Sequence, residues 1–221
     1  MLEKIEKLQL VWLAVILALG LIFAVKTGTA NVTKDKISVT GSAYQVVKSD
    51  SARFEFEVVA RKPNKQAAYN AVKAQIPVVM NYLGEKGITD IEVKASNGYN
   101  LSQPIVIKSD DVQKIKDVSV DIQSLLDKGI DINVMQPEYF YSKLADLKVQ
   151  LLQDATTDAK DRATAMLKAT HNRPGKIQSV QMGVFQITPV DSTNVSDMGI
   201  NDTTTIDKKV TAVANVVFRV K

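Results

Sequence analysis

Hydrophobic and polar positions alternate most clearly between residues 52 and 61. Ala52, Phe54, Phe56, Val58 and Ala60 fall on one face of an extended chain, and Arg53, Glu55, Glu57 and Arg61 on the other. A period of two with one charged face predicts a strand in a sheet covered on one side only. Residues 36–47 predict a strand before it, with Ile37 and Val39 against Ser38 and Thr40, and Lys48-Ser49-Asp50-Ser51 supplies turn chemistry. The two segments read together as an antiparallel hairpin. The period then changes. Ala68, Val72, Ile76, Val79 and Leu83 recur at helical spacing after Pro63-Asn64, with Asn64 as N-cap and Gly84 and Gly87 at the end. Pro77 lies inside this helix, removes one backbone donor and predicts a kink.

Two more strands follow, over 89–95 and 101–108, joined by Ser96-Asn97-Gly98. Ser109-Asp110-Asp111 starts a second helix, with acids at the positive end of its dipole and a stripe of Val112, Ile115, Val118, Ile122, Leu125 and Leu126. Lys128-Gly129 closes it, and a strand runs over 130–141. The third helix begins near Ser142 and ends before His171-Asn172-Arg173-Pro174-Gly175. Its stripe is Leu144, Leu147, Leu151, Ala155, Ala159, Ala163 and Met166/Leu167; the alanines admit a close neighbour, either the sheet or another subunit. A strand over 175–188, a polar loop over 190–205 and a last strand carrying Val210, Ala212, Ala214, Val216, Phe218 and Val220 complete the chain. The order ββαββαβαββ predicts an α+β fold with helices packed on one face of a largely antiparallel sheet, as one domain over 36–221.

A different pattern precedes this domain. Residues 8–25 carry no formal charge and are fenced by Lys7 and Lys26. Eighteen helical residues reach about 27 Å, close to the hydrocarbon thickness of a bilayer. The expectation is a transmembrane signal anchor built on Leu10, Trp12, Leu13, Ile16, Leu19 and Phe23, with 1–7 as a short cytoplasmic tail and 26–35 as a linker. Membrane lipid is then a partner, and the large domain lies in the periplasm or outside the cell, on an inner-membrane protein. Cleavage before Asn31, with Gly28 and Ala30 as the small residues, is the alternative.

Charge and composition narrow the chemistry. Among 221 residues there are 28 basic and 24 acidic side chains, a net +4, interleaved without a basic run. That speaks against a nucleic-acid partner. With no cysteine, disulfides, thiolate catalysis and cysteine-based zinc sites are excluded. His171 is the one histidine and reads as a residue at a helix C-terminus rather than a base. Asp154, Asp158 and Asp161 share a helix face and read as solvated, with Lys160 and Arg162 on either side of Asp161. Asp191, Asn194, Asp197, Asn201, Asp202 and Asp207 are dense in oxygen ligands, yet their spacing is not that of a calcium loop, and turn capping explains them. Glycine loops for phosphate and a nucleophile elbow are missing. No cofactor, metal or catalytic residue is expected. Tyr139, Phe140 and Tyr141 are consecutive, so in a strand they cannot share a face, and they read as a subunit contact or as a strand buried on both faces.

The ordered set Ile37-Ser-Val-Thr-Gly-Ser42, Arg53-Phe-Glu-Phe-Glu-Val58, Ser109-Asp-Asp-Val112, Asp121-Ile122, Leu126-Asp-Lys-Gly-Ile130, Tyr139-Phe-Tyr-Ser-Lys-Leu144, Gly175-Lys-Ile177, Gly183-Val-Phe185, Ile187-Thr-Pro189, Asn201-Asp202 and Ile206-Asp-Lys-Lys-Val210 resembles the SIMPL-domain family, also called DUF541, in its bacterial envelope branch. His171-Asn-Arg-Pro174 departs from the small, glycine-rich stretch expected there. The resemblance implies an exported or membrane-anchored protein without a catalytic motif, in a family linked in part to envelope or oxidative stress and to large homo-oligomers. The functional expectation is a non-catalytic envelope protein acting as a homo-oligomer. The alternative is an extracytoplasmic module binding a ligand or divalent metal.

Overall fold

The computed structural model describes residues 16–22, 24–25, 35–96 and 101–221. Their elements are β1 (Lys36–Lys48), β2 (Ser51–Val59), α1 (Lys65–Glu85), β3 (Asp90–Val93), β4 (Ser102–Ser109), α2 (Val112–Asp121), α3 (Ser124–Asp127), β5 (Asp131–Val134), β6 (Glu138–Phe140), α4 (Leu144–Lys168), β7 (Pro174–Met182), β8 (Gln186–Pro189), β9 (Ile200–Asn201) and β10 (Asp207–Val220). The class is α+β, with two five-stranded sheets in place of the single sheet expected. Contacts divide the chain into two compact units, one of Met1–Gly41, Thr156–Gln181 and Ala214–Lys221, the other of Ser42–Ala155 and Met182–Val213.

In the second unit, β2 is the central strand of the sheet β3-β4-β2-β5, with β6 also paired to β2. All these pairings are antiparallel. The alternation of β2 does what its sequence predicts. Ala52, Phe54, Phe56 and Val58 are buried, while Arg53, Glu55 and Glu57 remain half-buried on the other face. Onto the apolar face pack α1 through Val72, Val79 and Leu83, and α2 through Val112, Ile115 and Val118. Asn64 caps α1 by accepting from the Ala67 amide at 2.8 Å, and Asp111 caps α2 by accepting from the Lys114 amide at 3.1 Å. The helix α1 continues through Pro77 to Glu85.

The expected hairpin of β1 and β2 does not form. β1 pairs with β10 in the other sheet, whose order is β1-β10-β8-β9 with β7 also on β10. The switch takes two residues. The Ser49 amide donates to the Ile206 carbonyl, just before β10, and the Asp50 amide to the Phe140 carbonyl in β6, both at 2.9 Å. The turn residues therefore join two sheets. Three further elements are broken where one was expected: α2 and α3 at Ile122-Gln123, β5 and β6 around Pro137, and β7 and β8 at Gly183-Val184-Phe185. Proline cannot donate to a ladder, which accounts for the break at 137.

Residues 16–22 and 24–25 are helical, and among the described residues no helix is long and apolar enough to cross a membrane. A spanning helix needs roughly 20 consecutive apolar residues. The expected transmembrane helix over 8–25 is corrected on that finding. Its described members Ile16 and Leu19 are exposed; Leu10, Trp12, Leu13 and Phe23 lie outside the described residues.

Candidate functional site

A buried ion pair joins the polar loop between β8 and β10 to the start of β10. β10 carries Lys208, Val210, Ala212, Ala214, Val216 and Phe218 on its buried face. Lys208 thus occupies an inward position, with its side chain 4% exposed against 9% for Asp202. Its ammonium donates to the Asp202 carbonyl at 2.7 Å and lies 3.5 Å from the Asp202 carboxylate. That carboxylate also accepts from the Thr204 amide at 2.9 Å, the Thr204 hydroxyl at 2.7 Å, the Thr205 amide at 3.3 Å and the Thr205 hydroxyl. Burial alone would raise the Asp202 pKa; the threonine donors and the Lys208 charge outweigh it and hold the group at about 2. Burial pushes the Lys208 pKa down, opposed by Asp202.

The rest of the loop is held by its own polar groups. Gln186 is nearly buried, and its amide clamps Ser196, donating to the carbonyl at 2.7 Å and accepting from the amide at 3.3 Å. The Lys209 ammonium donates to the Ser192 carbonyl at 2.8 Å. Asp202, one of the six Asp and Asn residues singled out between 191 and 207, is therefore occupied. No three His, Cys, Asp or Glu side chains among the described residues come together to hold a metal ion.

A second cluster joins α1 to α2. The Tyr82 hydroxyl donates to Asp121 at 2.9 Å, and Lys86 reaches the same carboxylate at 2.7 Å. The ammonium groups of Lys86 and Lys128 lie 5.6 and 5.7 Å from the ring centroid of Tyr82. Burial, with the Asp121 hydrogen bond second, raises the Tyr82 pKa far above its usual value. The hydrogen bonds from Lys86 and Tyr82 lower that of Asp121. Tyr82 is thus a fixed donor, and it ties two helix ends together.

The polar face of β2 carries a line of compensated charges. Arg53 bridges Glu138, at 2.7 Å, and Glu55; Lys94 meets both carboxylate oxygens of Glu55 at 3.0 Å. Cation and acid alternate, and Glu55 is saturated by two cations. An open cleft of about 590 Å³ lies beside this line, walled by Arg53, Gly87, Asp90, Lys108, Asp111 and Phe140. Its Lys114 is spent on the Gly87 carbonyl at 3.3 Å.

The three consecutive aromatics separate. Tyr139 is 5% exposed and belongs to the core cluster, its amide donating to the Thr203 carbonyl at 2.7 Å. Phe140 is 39% exposed and faces the cleft. Tyr141 is half-buried. On α4, Ala155, Ala159 and Ala163 are fully buried within the single chain, so their close neighbour is not another subunit. Asp158 pairs with Arg162 at 2.7 Å, and Asp154 and Asp161 are exposed. His171 is exposed and takes a left-handed backbone, φ 57°, at the end of α4. The sequence reading missed both clusters. For Lys208 a signal was available: the parity of Val210 to Phe218, carried back one step, puts a lysine on the inner face of β10.

The class defined by these features is an α+β protein with two antiparallel-dominated sheets, whose buried ionisable groups are matched to internal partners. The model of the SIMPL family, described as a protein of unknown function (DUF541), matches residues 37–218, and the chain belongs to that family. No curated protein matches the sequence. Among solved structures, the regulatory subunit of aspartate kinase from Thermus flavus is similar at 12% identity and a TM-score of 0.27, over 80% of this chain and 89% of that one.

Proposed function

We propose that this protein is non-catalytic and acts by assembling into homo-oligomers. The observation that carries the reading is strand β7. Residues 176–182 are exposed one after another, on both faces, and include Ile177 at 49%, Val180 at 51% and Met182 at 55% exposure. Apolar side chains gathered on one uncovered strand mark an interaction surface more often than scattered ones do. The ionisable clusters support the same reading from the other side. Asp202, Lys208, Tyr82 and Asp121 have their polar atoms satisfied by neighbours in the fold, and a catalytic group needs a free lone pair or proton directed at a substrate.

Light scattering coupled to size exclusion on the purified full chain tests this. The expected result is a mass that is an integer multiple of the protomer and falls on dilution. A single protomer mass from about 1 to 100 μM, a span covering weak protein associations, would sink the proposal.

A further inference from the structure

Strand β3 ends its sheet, and among the described residues its strand partner is β4. The register is regular, with Asp90 to Val93 set against Lys108 to Ile105. Its phase is fixed one residue further on. The Lys94 amide donates to the Pro104 carbonyl at 3.0 Å. Pro104 has no N–H to return, and the Gln103 side chain donates to the Lys94 carbonyl instead. In a regular antiparallel ladder successive residues turn their N–H and C=O groups alternately toward and away from the partner. Asp90, Glu92 and Lys94 therefore face β4, and the N–H and C=O groups of Ile91 and Val93 face outward. The other side of the sheet agrees. The same alternation carried through β4 and β2 turns Glu55 toward β5, and the Glu55 carbonyl accepts from the Met135 amide at 3.1 Å.

The two faces of β3 differ in chemistry. Cross-strand pairs share a face, so Ile91 and Val93 lie with Ile107 and Ile105 on the helix side, and Asp90 and Glu92 lie with Lys108 and Val106 on the other. On the helix side a pocket of about 260 Å³ opens between β3 and α1, walled by Tyr69, Val72, Ile76, Pro77 and Val93. Tyr69 is 48% and Val93 46% exposed. The exposed Lys73 also lines it and disfavours a cation there. On the other side Glu92 has Lys108 at 3.6 Å, Lys94 is held by Glu55, and Asp90 has no ion pair among the described residues. Two exposed acids share one lysine.

An uncovered edge is a template for another strand. Where an edge lies beside a pocket, an added peptide gains affinity from main-chain bonds and specificity from alternate side chains. Charge selects the occupant here. We infer that β3 docks an extended segment of another protein, antiparallel, with an apolar side chain opposite Val93 in the pocket and lysine or arginine opposite Glu92 and Asp90. A second copy of β3 fits worse, because residues 90–94 overlap their own copy in full only with Glu92 opposite Glu92. The inference is independent of the assembly reading above, which concerns β7.

The probe is a fluorescein-labelled peptide, Thr-Leu-Lys-Val-Lys-Thr, which sets leucine opposite Val93 and lysines opposite Glu92 and Asp90. Its anisotropy with the purified full chain is expected to saturate below about 1 mM, the weak end of specific recognition. Exchanging both probe lysines for glutamate should weaken binding at least about 10-fold. On saturation the Ile91 and Val93 amides should exchange more slowly with deuterium, while those of Glu92 and Lys94, already bonded to β4, stay unchanged. Val93→Pro removes an outward N–H and leaves the β4 ladder intact; it is expected to abolish binding with an unchanged far-ultraviolet spectrum. Should Val93→Pro fail to fold, Tyr69→Ala, on the exposed wall of the pocket, is expected to weaken binding. No saturation by about 1 mM, equal binding of the glutamate probe, or unchanged exchange at Ile91 and Val93 each overturns the inference. A wild-type oligomer that loses mass in Val93→Pro assigns the edge to a second copy and overturns it as well.

Discussion

Replacing Asp202 by Asn tests whether the buried pair with Lys208 is a coupled unit. The substitution keeps the shape and removes the charge. It leaves an ammonium with a side chain 4% exposed facing a carbonyl at 2.7 Å and no counter-ion. Breaking one side of a buried pair costs about 3 to 5 kcal/mol; here Lys208 retains its carbonyl acceptor, so about 3 kcal/mol is expected. Lys208→Met should cost about 2 kcal/mol, because the threonine donors still satisfy Asp202. The double variant should cost at least about 1 kcal/mol less than the sum. The carboxylate also predicts a pH dependence. The folded pKa of about 2 lies below the ordinary 3.8, so the contribution is present above 3.8 and lost as the pH falls through 2. A gap of that size is worth about 2 kcal/mol. Lys208, with its pKa also lowered, works in the same sense at alkaline pH, where the unfolded chain binds more protons. Urea unfolding followed by circular dichroism, at pH 7 and down to pH 2.5, measures these quantities. Additive single and double variants, or an acid slope unchanged in Asp202→Asn, would refute the coupling.

The helix ends predict a pair of opposite effects. Gly129, with φ 75° and open space around its α-carbon, closes α3 with the same hydrogen-bond pattern that closes α4 at His171. A left-handed backbone costs a side-chain-bearing residue about 1 to 2 kcal/mol, partly returned by the greater freedom of glycine in the unfolded chain. His171→Gly should therefore stabilise by about 0.5 kcal/mol and Gly129→His destabilise by a similar amount; a loss of stability in His171→Gly, read by thermal melting, would mean the imidazole makes a favourable contact. Tyr82 should ionise later than an ordinary tyrosine in an ultraviolet titration, and Tyr82→Phe should remove that late step and cost about 1 kcal/mol. An unchanged titration would show that its hydroxyl is not held by Asp121.

Local pattern told most of the elements and few of the partnerships. β2 and α1 were legible because their signals lie within a few residues: alternation in Ala52 to Val58, a cap at Asn64, a glycine at position 87. The pairing of β1 with β10 was not, because it joins segments more than 150 residues apart, and the turn at Ser49-Asp50 has the same chemistry whether it closes a hairpin or crosses between sheets. The break at Gln123 fell inside a helical stripe, Val118, Ile122 and Leu125, that continues across it; at Pro137 and Gly183 the apolar positions change parity, from Val134 to Tyr139 and from Val180 to Ile187. The Asp202 and Tyr82 clusters escaped for a related reason. Each needs a partner brought by tertiary structure, and a lone aspartate or tyrosine looks the same in sequence whether paired or solvated.

The magnitudes decide how strong a β7 contact can be. The freedom lost on association costs about 4 to 15 kcal/mol. Ile177, Val180 and Met182 are each about half exposed in the single chain, and burying such a residue is worth about 1 kcal/mol when half its surface is already covered. A contact built on them is weak in isolation and becomes firm where a second interface repeats it, because linked contacts multiply. With one lysine and no acid in β7, its strength should hardly change with salt, in contrast to an interface built on the Arg53–Glu55 line.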